Sequence, residues 1–112
     1  MLQPTYVSNS VPDEYKAFAS QLANMQNSGR MDEFMQSAVK LATEMGVVVC
    51  DCYSRWKELS KTRDTTRLLA NAINHPNKEM HVFFAKCLYQ TMFFEEVNLE
   101  NAVDDGLDFK SD

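Results

Sequence analysis

Glycine and proline are scarce, with three of each in 112 residues. So little glycine is incompatible with a backbone cradle for phosphate, and the chain has neither a P-loop lysine nor a G-x-S-x-G elbow. Cysteine numbers three, an odd count that argues against a disulfide framework. No apolar run approaches the roughly 20 residues that span a bilayer, and no basic start leads into an apolar leader. These absences describe a reduced, cytoplasmic chain with no membrane role. Basic residues form no stripe, which removes the electrostatic footprint of nucleic-acid binding. The two histidines, His75 and His81, lie six residues apart, which is not a facing spacing on a helix, so neither a metal clamp nor a cofactor is expected.

What is present is a globular composition, 45% hydrophobic and 24% charged, with seven Phe, seven Met, four Tyr and one Trp. That is material for one small domain. The net charge of −5 is unevenly placed. From Glu95 onward seven acidic residues face Lys110 alone, while the remainder carries ten basic and nine acidic residues. Residues 95–112 therefore read as an acidic, solvated and disordered tail behind a domain over residues 1–94.

Hydrophobic periodicity predicts mostly helices. Ser10, Pro12 and Asp13 open a helix that runs to about Asn27, before Gly29. Met31, Phe34, Met35, Ala38, Leu41, Ala42 and Met45 recur at spacings of three and four, which predicts a second helix with these residues on one face, ended by Gly46. Val47-Val48-Val49-Cys50-Asp51-Cys52-Tyr53 begins as a β-branched apolar run, the pattern of a strand buried on both faces of a parallel sheet. Such a strand needs parallel neighbours, and Leu2–Val7 is the one weak candidate, with Pro4 suited to its end. That mismatch predicts a missing upstream portion. Ser54–Ser60 and Asp64–Ala70 read as short helices, the first anchored by Trp56. Asn77 caps a last helix to about Phe94, with Glu79 in its first turn and Met80, Phe83, Phe84, Cys87, Leu88 and Met92 as its buried stripe.

Chemistry concentrates in the loop before that helix. Asn71, Asn74, His75 and Asn77 cluster beside Pro76, where a histidine is poised as a general base or is merely an exposed part of a capping loop. His81 is expected to pack or cap. Cys50 and Cys52, read on a strand, point their thiols to opposite faces, and they and Cys87 are expected in the core. Asp51, at the end of the strand, either orients His75 or binds substrate, or else caps the next helix.

Gly46–Lys57, Asp64–Asn71 and Ile73–Ala85 together resemble the closing part of SGNH/GDSL hydrolases, in which a last buried strand leads to a loop carrying Asp-x-x-His-Pro and then a C-terminal helix. The His75-Pro76 pair between strand and helix is its most specific element. The resemblance implies an α/β, three-layer, parallel-sheet (flavodoxin-like) fold of which this chain holds the C-terminal half, mostly helical with one or two strands. It implies a serine esterase acting on small esters or acetylated carbohydrates, with His75 as base. The family aspartate position falls on Ala72 here. Asn71, one residue earlier, or Asp51 then remains to orient His75. The serine and oxyanion blocks are missing, and Ser8, Ser10, Ser20 and Ser28 lack a Gly-Asp-Ser context. Two functions stand open: a truncated ester hydrolase, with the N-terminal half as its absent partner, or a small helical partner-binding domain that does no chemistry.

Overall fold

Pro12 and the acidic pair behind it start the chain's first helical stretch. Pro12 precedes a 3-10 turn, Asp13–Tyr15, which continues into α1, Lys16–Asn27. In the computed structural model, which describes residues 2–93, three further α-helices follow: α2, Arg30–Glu44; α3, Cys52–Leu59; and α4, Lys78–Phe93. A second 3-10 turn, Thr65–Leu68, lies between α3 and α4. The acidic stretch read as a tail lies outside the described residues.

Glycine acts where the backbone needs it. Gly29, at φ 81°, turns the chain from α1 into α2. Gly46, at φ 73°, closes α2, with its N–H donating to the Thr43 carbonyl and the Val47 N–H to the Ala42 carbonyl. That double closure uses the left-handed residue to satisfy carbonyls a helix end would otherwise orphan.

The core has two parts. The larger gathers Met31, Tyr53, Trp56, Leu68, Leu69, Met80, Phe83 and Cys87, so α2, α3 and α4 meet around Trp56, which is 1% exposed. Trp56 thus anchors α3, as its sequence position suggested. The smaller joins Val11, Ala19 and Leu22 to Ala72 and Ile73.

The parallel-sheet α/β architecture is overturned: no strand forms among the described residues, and the one β-bridge, Leu69 to Pro76, only closes a loop. Val47–Val49 has no neighbouring strand, and its first N–H is already spent on the end of α2. A β-branched run favours extended backbone, but a strand also needs a partner to take its hydrogen bonds. The other expected strand, Leu2–Val7, is held by side chains instead of a ladder. The Thr5 N–H donates to Thr66 Oγ1 at 2.9 Å, Asn27 Nδ2 to the Thr5 carbonyl at 2.9 Å, and Tyr6 Oη to Asp64 Oδ2 at 2.6 Å.

One helical stripe is also corrected. The apolar face of α2, for its part, buries only Met31, while Phe34, Leu41 and Met45 stand 69%, 58% and 69% exposed. On α4, Met80, Phe83 and Cys87 are buried, whereas Leu88 and Met92 are exposed. Nothing among the described residues packs over either exposed stretch.

Candidate functional site

The His75 loop is built by Asn71. Its Oδ1 accepts the backbone N–H of Ile73, Asn74 and His75 at 3.0, 2.9 and 3.1 Å, and its Nδ2 donates to Asn74 Oδ1 at 2.9 Å. One side chain thereby holds the turn in which Ala72 adopts φ 57°, a left-handed conformation that costs a non-glycine residue roughly 1–2 kcal/mol. The Ala70 N–H to His75 carbonyl bond, 2.7 Å, and the Asn77 N–H to Leu68 carbonyl bond, 2.9 Å, close the loop's base. Asn77 Oδ1 then accepts the Met80 N–H at 3.0 Å, the cap its position predicted.

These bonds leave Asn71 turned toward its own backbone. The His75 imidazole is exposed and makes no hydrogen bond among the described residues. Asp51 caps α3, accepting from the Ser54 N–H at 3.0 Å and the Ser54 hydroxyl at 2.6 Å. Of its two readings, capping is the one the structure displays. Asn71 therefore meets His75 only at its backbone N–H, and no hydrogen bond among the described residues joins Asp51 to either. Ser10 and Asn71 line a common surface hollow of about 490 Å³, but His75 does not line it, and Ser10 Oγ bonds Ser8 Oγ at 2.9 Å. His81 projects from α4 into solvent and neither packs nor caps.

The cysteines depart from their strand-based reading. Cys50 precedes α3 and Cys52 begins it, so their sulfurs lie on one side, 3.4 Å apart, with Cys87 of α4 beside Cys52. Burial, then the neighbouring Cys50, pushes the Cys52 thiol up to about 12, and burial also raises that of Cys87. Thiols held protonated are poor nucleophiles. No group of three His, Cys, Asp or Glu placed to hold a metal occurs among the described residues.

A polar cluster that periodicity missed ties α1, α2 and α3 together. Gln26 Nε2 donates to Tyr53 Oη at 2.9 Å, and Tyr53 Oη donates to Asp32 Oδ1 at 2.6 Å. Lys57 Nζ sits 3.3 Å from the same oxygen. The Tyr53 hydroxyl, then Lys57, holds the Asp32 carboxyl below its ordinary range. The Tyr53 phenol is pushed up to about 12 by burial and by Asp32. In sequence these four are ordinary helix residues; the Gly29 turn brings Gln26 to Asp32, and the packing of α3 on the core adds Tyr53 and Lys57.

What remains is a surface. Met35, Ala38 and Val39 of α2, with Val49, Cys50 and Phe84, line a largely apolar groove of about 410 Å³ between α2 and α4. Phe34, Leu41, Met45, Val47 and Val48 are also exposed. No hydrogen bond among the described residues pairs a hydroxyl or thiol with either imidazole. No helix among the described residues is long and apolar enough to cross a membrane. Comparison with protein-family models, curated proteins and solved structures returned no match.

Proposed function

We propose that this chain is a non-catalytic helical module that binds a protein partner through the apolar face of α2. The observation that carries this reading is that α2, fifteen residues long, buries Met31 alone and leaves Phe34, Leu41 and Met45 more than half exposed. An amphipathic helix gains its stability from covering such a face. Methionine and leucine on a helix suit the mode in which one helix lies against an apolar partner surface. Three unpaired thiols fit a reducing, cytoplasmic setting. The ester-hydrolase reading has no comparable support: Asn71 holds the His75 backbone and not its imidazole, Asp51 caps α3, and no sheet edge among the described residues gathers them.

The test is a photo-crosslinking residue placed at Phe34 in one variant and at Glu14, an exposed polar position, in another, both expressed in the cell of origin. A discrete adduct from position 34 and none from position 14 is expected. No adduct at position 34, or equal labelling at both, overturns the proposal.

A further inference from the structure

Resting on that reading, we infer that the partner is a second copy of this chain, docked antiparallel along α2. Three observations select this occupant.

The first is spacing. Met31, Phe34, Ala38, Leu41 and Met45 recur in alternating steps of three and four, the a/d seam of a two-heptad coiled coil, and four of these five are exposed. Pairing Arg30 with Glu44 of a reversed copy centres the two-fold axis near residue 37, which sets Phe34 of one copy across from Ala38 of the other, a large side chain against a small one.

The second is charge. Arg30 and Glu44 occupy equivalent positions one residue before the first and last seam residues, and both are exposed. Among the described residues Glu44 is met by Lys40 alone, at 3.9 Å. Residues at such flanking positions set the orientation of paired helices. Reversing one copy brings Arg30 to Glu44 of the other at both ends and opposes the two helix dipoles. A parallel pair matches neither.

The third is area. Phe34, Leu41, Met45 and Val48 leave on the order of 500 Å² in water, near the top of the range for the largest patch on a monomer, about 300–600 Å². Two such faces with their polar rims give a contact on the order of 1,200 Å², where specific protein interfaces begin. A closed two-fold contact needs no further surface, and it is the commonest assembly of soluble chains.

Sedimentation equilibrium of the full chain from 1 to 100 µM tests this, with twice the 12.8 kDa chain mass expected. Leu41→Glu should weaken association at least ~100-fold while leaving the helical circular dichroism unchanged, because it puts a charge in the seam. Arg30→Glu alone and Glu44→Arg alone should each weaken it about tenfold, from two lost surface pairs and the repulsion that replaces them. An equal mixture of those two variants should associate again, since every antiparallel contact between an acidic and a basic chain is then attractive. A monomer at all concentrations overturns the inference. So does a dimer indifferent to Leu41→Glu, or a mixture that fails to recover. The crosslink at position 34 separates the two claims: an adduct with a different protein keeps the partner-binding reading and sinks the dimer, whereas no adduct sinks both.

Discussion

Replacing Tyr53 by phenylalanine removes one oxygen and disconnects three helices. Tyr53 is 8% exposed, and among the described residues its hydroxyl is the one acceptor for Gln26 Nε2 and the shortest donor to Asp32. Losing a hydrogen bond to a charged group removes about 1.5–3 kcal/mol, and a buried amide left without its acceptor costs about 1–3 kcal/mol. The two effects share one atom and overlap, so a loss of about 2–3 kcal/mol at pH 7 is expected. For a domain of this size that lowers the unfolding midpoint by roughly 10–20 °C. Because Asp32 is held below its ordinary range mainly by the Tyr53 hydroxyl, its contribution is present above about pH 4 and disappears as the pH falls through the folded value. The gap between wild type and Tyr53→Phe should therefore narrow below pH 4. At the alkaline end the sign reverses: the raised phenol stabilises the fold below about pH 10, and that contribution is lost as the pH climbs toward 12. Wild type should lose stability over that window through this group, and the variant should not. Urea unfolding followed by circular dichroism at pH 3, 7 and 11 measures all three. Unfolding free energies within about 0.5 kcal/mol of each other at pH 7, or a gap at pH 3 as wide as at pH 7, would refute the reasoning.

Other perturbations test other parts of the molecule. Trp56→Ala should cost about 3–5 kcal/mol, a large share of the stability of so small a domain, and calorimetry should find the cooperative transition greatly weakened or gone. Asn71→Ala should destabilise by about 1–3 kcal/mol because three backbone N–H groups lose their acceptor, and Asn71→Asp, which keeps a carboxylate oxygen there, should recover most of it in urea titration. Equal losses in both would show that the acceptor is not what holds the loop. Alkylation of Cys52, resolved by mass spectrometry, should keep rising with pH through 10 in the folded protein, and a plateau near pH 9 would contradict a thiol raised to about 12.

The helices were legible because each carries its own punctuation. Gly29 and Gly46 mark ends that need positive φ, Asn77 is a cap, and Trp56 is too large to leave in water. The sheet was inferred from a single run, Val47–Val49, and from a resemblance centred on His75-Pro76; neither contains information about pairing. Once the strand is gone, the supposed opposition of Cys50 and Cys52 goes too, because side-chain direction was deduced from a period of two that the backbone does not follow. Asn71 was singled out as a residue that could orient the His75 imidazole. What one sequence does not tell is which hydrogen atoms such a residue will hold, and here they are backbone N–H groups beside it rather than the imidazole of His75.

The apolar face of α2 bears on function in another way. A spacing of three and four says that one side of a helix is built to leave water, but it is silent on whether the cover comes from the same chain. The sheet suggested by Val47–Val49 does not form among the described residues, and the α2 face, Val47 and Val48 are all exposed. The exposed face is not a generic apolar surface: the interval between Arg30 and Glu44, with the small Ala38 beside their midpoint, fits the proposed partner of the same length and opposite direction. A second α2 meets that specification without any further feature being invoked.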